Sequence, residues 1–274
     1  MTDLDIEVFV TVHDQDIVLL QESNRKYDCL DRKYRYIFVG SGNTDKIHDV
    51  GNVVIARDLP ENIEQHPSLV DFTAWYGLVK NSLIVSKYVI LIQYDTVLTS
   101  DFLARSYSKI VTNPYSIIGY VPFDMKDENF LANNIGAEPL YEAVLDKYNI
   151  NIYDYFGKHI QSLDVALWPS SNNILLSSNL LKKFVNWFCP LIPIIIKYSG
   201  AGHAFERSIK LFSLLEGIEN LYLEEVLDHY QLNSHGTQDF QRGRKEKLRK
   251  LLVSNKLDSK KNILYRIFKY IINE

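Results

Sequence analysis

The chain has 274 residues, 46% of them hydrophobic and 23% charged, which suits one large α/β domain or two small ones. Its net charge of −4 is uneven: residues 240–274 carry 11 Lys/Arg against 3 Asp/Glu, while the rest carries 19 against 31. An acidic body speaks against nucleic-acid binding, and the longest apolar stretch, residues 187–196, is broken by Pro190 and Pro193 and falls short of the roughly 20 residues of a spanning helix.

Residues 6–12 mix alternation with β-branched side chains and read as a first strand running into the polar loop that begins at His13. Residues 34–39 and 52–55 read as a second and third strand, each stopped by turn chemistry. From Pro67 the spacing becomes helical, with Leu69, Phe72, Trp75, Tyr76 and Val79 on one face, and predicts a helix running towards Val85. The most apolar strand, residues 88–93, then delivers Tyr94 and Asp95 at its end. Helices are predicted over 102–110, 139–148, 179–187 and 204–215, with a strand-like segment at 173–176.

This order predicts an α/β fold with an open, mostly parallel sheet flanked by helices, whose ligands bind outside the carboxyl ends of the strands. The domain spans residues 1–240, and residues 241–274 form a basic amphipathic helical tail with Leu248, Leu251, Leu252, Ile263, Leu264, Ile267, Phe268 and Ile271 at helical spacings. Such a tail suits peripheral contact with an anionic membrane, because cytoplasmic leaflets attract Lys and Arg; a solvated helix packed on the core fits the same pattern. The acidic opening, Met1-Thr2-Asp3, lacks the basic and apolar regions of a secretory leader and predicts a cytoplasmic chain. Two cysteines, Cys29 and Cys189, without a Cys-x-x-Cys or Cys/His cluster, read as buried thiols.

Four residues carry candidate chemistry. Asp95 holds a carboxylate at the tip of the central strand, where Mg2+ or Mn2+ bridged to a diphosphate needs one; an Asp capping the turn through Thr96 explains it as well. The usual Asp-x-Asp is absent, since Gln93 stands at its first position. His13 ends the first strand, where it contacts a base or phosphate or is simply a loop residue. Glu206 follows Gly200 and Gly202 at a helix start and suits a general base; a first-turn Glu favoured by the helix dipole and paired with Arg207 or Lys210 is the plainer reading. His235, in a Ser-His-Gly-Thr turn, completes a metal shell or is an exposed turn histidine. Phosphate-loop, dinucleotide and hydrolase-elbow motifs are all missing from the sequence.

Several short segments, in order over residues 6–215, resemble an uncharacterised bacterial glycosyltransferase-like family of capsule and lipopolysaccharide gene clusters. They are Val8-Phe9-Val10-Thr11-Val12-His13, the aromatic helix Phe72-Thr73-Ala74-Trp75-Tyr76 through Lys80-Asn81, Leu91-Ile92-Gln93-Tyr94-Asp95, Asn172-Asn173-Ile174-Leu175-Leu176, Phe184 to Phe188 with Pro190, and Phe205-Glu206-Arg207. At the Gln-Tyr-Asp position the family often has His-Tyr-Arg-Arg. The resemblance implies a GT-A-like fold, with the donor nucleotide near His13, Tyr76, Lys80 and Asp95 and the acceptor near Asn172 and Glu206.

The sequence is thus read as a glycosyltransferase moving a sugar from a nucleotide-sugar to a hydroxyl of a capsule, lipopolysaccharide or O-antigen precursor. Glu206 is the catalytic base of an inverting transfer; Asp95 and His235 are the metal ligands for Mg2+ or Mn2+; His13, Tyr76, Lys80, Asp95 and Asn172 line the donor. The alternatives are a sugar-phosphate nucleotidyltransferase, which lacks its Gly-rich phosphate loop here, and a non-catalytic nucleotide-sugar-binding scaffold protein.

Overall fold

The computed structural model describes residues 5–12, 34–39, 53–63, 69–93, 96–120, 122–124, 137–152, 154, 167–169, 172–198, 201–223 and 226–228. All of them lie in one compact unit, Met1–His229; the second unit, Tyr230–Glu274, and with it the predicted tail, is outside the described residues.

In chain order the elements are β1 (Ile6–Val12), β2 (Tyr34–Phe38), β3 (Val53–Ile55), α1 (Val70–Lys80), β4 (Tyr88–Gln93), β5 (Val97–Leu98), α2 (Phe102–Thr112), β6 (Ile117–Gly119), β7 (Pro122–Asp124), α3 (Ala137–Tyr148), β8 (Leu167–Pro169), β9 (Ile174–Ser177), α4 (Ser178–Phe188), α5 (Ile192–Ile195), α6 (Ala201–Leu215), β10 (Asn220–Tyr222) and β11 (Leu227–Asp228). Seven strands form the main sheet in the order β10-β6-β9-β4-β1-β2-β3. The pairings β1 with β2 and β4, β2 with β3, and β6 with β10 are parallel, and β9 alone runs antiparallel between β4 and β6. The mostly parallel sheet read from the sequence is therefore present, with one reversed strand inside it.

Both faces are covered, so the central strands are apolar almost throughout. Val8, Val10, Val12, Ile90 and Ile92 point into a layer closed by Phe102, Leu103 and Ile110 of α2. Phe9, Val89 and Leu91 point the other way, into the layer built by α1, α3, α4 and α6. At the amino-terminal edge, Glu7 accepts from Arg35 Nη2 at 2.7 Å and from the Val85 and Ser86 N–H groups at 2.8 and 3.0 Å, holding the loop that enters β4.

Several sequence boundaries move. The helix expected to run on towards Val85 stops at Lys80, because Ser82 adopts φ 54° and the Ser82 and Leu83 N–H groups close back onto the Val79 and Leu78 carbonyls. α4 begins one residue earlier than expected, with the Ser177 hydroxyl accepting from Leu180 N–H at 3.3 Å as its cap. Cys189, expected to be buried, is a half-buried free thiol beside Pro190; burial still raises its pKa, and the Lys80 charge opposes that rise.

Candidate active site

Parallel strands send their carboxyl ends to one edge, where β1 ends at Val12, β2 at Phe38 and β4 at Gln93. Because β9 runs backwards, the residues that precede it, Asn172 and Asn173, arrive at that same edge. The first turn of α1 meets them there and brings Asp71.

Four polar side chains converge on this point. Gln93 Nε2 donates to Asp71 Oδ2 at 2.9 Å, and Asn172 Nδ2 donates to the same oxygen at 2.8 Å. The Gln93 N–H donates to Asn173 Oδ1 at 2.8 Å, while the Asn173 carbonyl accepts from Tyr120 N–H at 3.3 Å. Asn173 thereby ties β4 to the end of β6. Thr11 pairs with Gln93 in register and is buried beside it.

A carboxylate only 9% exposed, as Asp71 is, is costly unless hydrogen-bonded. Two amide donors and the positive end of the α1 dipole offset that cost, since Asp71 lies in the first turn of a helix whose N-cap, Leu69, has no capping side chain. Asn172 holds φ 56°, a left-handed conformation that Asn tolerates better than most residues. Its Oδ1 and the Nδ2 of Asn173 are shut away from solvent without a hydrogen-bond partner among the described residues.

On the chain side, the Gln93 carbonyl accepts both the N–H and the hydroxyl of Thr96, at 3.2 and 2.8 Å. Asp95, His13 and His235 lie outside the described residues, although His13 directly follows β1 and Asp95 stands two residues past β4.

The other expected residues divide. Asn172 joins the cluster through Asp71. Tyr76 and Lys80 sit on later turns of α1, with the Lys80 ammonium 5.8 Å from the Tyr76 ring and 2.9 Å from Asn186 Oδ1. At 1.5 Å per residue, Lys80 is roughly 13 Å along the helix axis from Asp71. Burial, more than the nearby acidic groups, raises the Tyr76 pKa.

Glu206, expected in the first turn of its helix, lies instead in the second turn of α6, which already begins at Ala201 and includes Gly202; it is half-exposed, next to the buried Phe205, whose ring packs 5.3 Å from Phe72 and 4.9 Å from Trp75. That contact docks Glu206's helix on α1 one residue beyond Asp71. Burial lowers the pKa of Arg207, and the carboxylate of Glu206 works against that shift.

Asp71, the amide of Gln93 and Asn173 went unnoticed as site residues in the sequence. A signal existed: 71, 75 and 78 share one helical face, and both Trp75 and Leu78 are buried, so Asp71 is a charge on the apolar stripe.

No family model and no curated protein matches the chain. Among solved structures it is similar to the WbbM bifunctional glycosyltransferase in its apo form, at TM-score 0.51 and 11% identity over 83% of this chain and 45% of that one. It is also similar to the mannosyltransferase PcManGT from Pyrobaculum calidifontis in complex with GDP-Man and Mn2+, at TM-score 0.44 and 12% identity over 97% of this chain and 68% of that one. A third likeness is to the galactosyltransferase LgtC with donor and acceptor sugar analogs, at TM-score 0.42 and 10% identity over 79% and 72%. The chain spans less than half the length of WbbM, and at 11% identity the likeness is one of fold: an α/β, GT-A-like sheet flanked by helices.

Proposed function

We propose that this chain is a glycosyltransferase that moves a sugar from a nucleotide-sugar to a hydroxyl of a cell-surface glycan precursor. The observation that carries this reading is the polar cluster of buried Asp71, Asn172 and Asn173 with half-buried Gln93, placed where the parallel strands of a GT-A-like sheet end, two residues before Asp95 in the sequence. Apolar packing alone gives no reason to gather a carboxylate and three amides at that edge.

In this reading His13, Asp95 and Asn172 face the donor. Lys80 joins them only by leaving Asn186, so Lys80 and Tyr76, on later turns of α1, are secondary members of the donor set. The donor atoms at the edge are carboxylate and amide oxygens, and among the described residues no cluster of three His, Cys, Asp or Glu competes for a softer metal. That chemistry fits Mg2+ or Mn2+, for which Asp95 would supply a carboxylate ligand; the ion would neutralise charge on the departing diphosphate.

Glu206 takes the proton of the acceptor hydroxyl as its oxygen bonds to the anomeric carbon. The bond from that carbon to the diphosphate breaks, and the nucleoside diphosphate leaves with the electron pair, inverting the centre. The basic stretch 241–274 holds the enzyme on an anionic leaflet near a lipid-linked acceptor; no helix among the described residues is long and apolar enough to cross a membrane.

Thermal-shift screening against nucleoside diphosphates and nucleotide-sugars, with and without Mn2+, tests the donor site. A ligand at 100 times its dissociation constant stabilises by about 2.7 kcal/mol, so one nucleotide class should raise Tm clearly, and Asp95→Ala should abolish the rise. No shift with any nucleotide sinks the reading. Glu206→Gln is expected to keep the shift and lose transfer.

A further inference from the structure

Asn172 and Asn173 are 8% and 0% exposed, yet each spends only one end of its amide on the protein. Their orientations follow from their partners. The Asp71 carboxylate only accepts, so it takes the Asn172 NH2; the Gln93 N–H only donates, so it takes the Asn173 carbonyl oxygen. What remains is one acceptor, Asn172 Oδ1, and one donor, Asn173 Nδ2, both buried and both without a partner among the described residues. Buried polar atoms are paired in the great majority of native structures, so two orphans on consecutive residues at the ligand edge call for an outside partner.

We infer that this amide pair reads hydroxyl groups of a sugar, Asn172 Oδ1 accepting from one hydroxyl and Asn173 Nδ2 donating to the oxygen of another. The inference rests on the glycosyltransferase reading and extends it from the nucleotide to the sugar. A phosphate only accepts and leaves Asn172 Oδ1 unmatched beside the Asp71 carboxylate. A metal ion suits the oxygen but not the NH2. A sugar hydroxyl both donates and accepts, so a polyol matches the pair as it stands.

The backbone supports the assignment. Asn172 keeps φ 56°, a conformation that costs most residues strain, and that geometry delivers its amide to Asp71. Asp71 is in this sense a positioning residue, since it fixes which end of Asn172 faces the ligand. Because the two amide atoms are shut away from water, a sugar lacking the matching hydroxyl leaves them unpaired, and sites of this kind reject such analogues by roughly 10⁴–10⁵-fold at best.

Calorimetric titration of the full chain tests the pair, using a nucleoside diphosphate, its nucleotide-sugars with epimeric and deoxy sugars, and the free sugars. Two variants accompany the wild type. Asn172→Gly keeps the left-handed backbone and removes the acceptor; Asn173→Asp keeps the oxygen that Gln93 needs and removes the NH2. The wild type is expected to prefer one sugar over its epimer or deoxy analogue by about 100-fold or more, and each variant to lose that preference. The nucleoside diphosphate should weaken by less than about 3-fold in the variants, well under the factor of ten that 1.4 kcal/mol represents.

Folded variants that keep the wild-type sugar preference overturn the inference. So does a parallel loss of diphosphate affinity, which moves the pair to the base or phosphates. Should neither variant fold, a crystal structure of the wild type with its preferred nucleotide-sugar decides: sugar hydroxyls within about 3.2 Å of both atoms support the pair, and ordered waters on both overturn it. Binding of a free sugar but of no nucleotide, lost in the variants, sinks the transferase reading and leaves the pair standing. Failure to bind any sugar, free or nucleotide-linked, removes the pair.

Discussion

Asp71 carries a negative charge into the apolar stripe of α1, and its two amide partners come from positions 93 and 172, far away in sequence. Removing the carboxylate leaves the buried Asn172 NH2 without an acceptor, at about 1–3 kcal/mol, while water can reach the half-buried Gln93 NH2, so Asp71→Ala is expected to lose about 1–3 kcal/mol in urea unfolding. Asp71→Asn keeps an acceptor and should cost about half of that. A loss below 1 kcal/mol for Asp71→Ala would mean that the cluster contributes nothing to the fold. Cys189 gives a second test at this scale. Burial raises its pKa and Lys80 lowers it, so in a Cys29→Ser background alkylation at pH 8 should be slower than for a free thiol, and Lys80→Met should slow it further. Acceleration on removing Lys80 would show that the two groups do not sense each other.

At the scale of elements, α1, α4 and α6 meet through Phe72, Trp75, Phe184, Phe188, Phe205 and Phe212, all buried, with ring centroids 4.7–6.1 Å apart in the Phe72–Phe188, Trp75–Phe205, Trp75–Phe184, Phe184–Phe205 and Phe184–Phe212 pairs. This cluster docks the Glu206 helix on the Asp71 helix. Phe205→Ala is expected to cost about 3–5 kcal/mol, a large part of a typical domain's stability, whereas Phe205→Leu should cost about 1–2 kcal/mol and still lower transfer by displacing α6. Unchanged transfer in Phe205→Leu would detach Glu206 from the site. Gly77→Ala tests the opposite sign. Its Cβ meets Leu59 Cδ1 at 2.8 Å, but Leu59 is half-exposed and its side chain can turn away, so the helix-propensity gain of about 1 kcal/mol should leave Tm unchanged or higher. These helices were legible because their apolar residues recur at helical spacing. β6 and β10 were not, since each is three residues long and exists through its neighbours' hydrogen bonds.

For the molecule as a whole, the parallel half of the sheet could be read from strand, turn and helix alternation, but the reversal at β9 could not. Ile174, Leu175 and Leu176 are buried on both faces, and such a run looks the same in either direction. That reversal is also why Asn173 joins the site beside Asn172, which the resemblance alone had suggested, so the partner residue was hidden for the same physical reason as the topology. Charge, in contrast, is read directly: 11 Lys/Arg against 3 Asp/Glu over residues 240–274 set a cationic end on an acidic chain. If that end meets a membrane, each Lys or Arg near an anionic surface adds about 1 kcal/mol, and the attraction decays over a Debye length of about 10 Å at 0.1 M salt. Co-sedimentation with vesicles of phosphatidylglycerol should therefore retain the full chain at low salt, release much of it at 0.5 M salt, and fail with neutral phosphatidylcholine. Replacing Arg242, Arg244, Lys245 and Lys247 by Gln in the full chain should weaken binding by two orders of magnitude or more, on the order of 4 kcal/mol removed if all four face the lipid. Equal sedimentation of the quadruple variant would assign the charge to solvation of the protein's own surface and remove the membrane role proposed for residues 241–274.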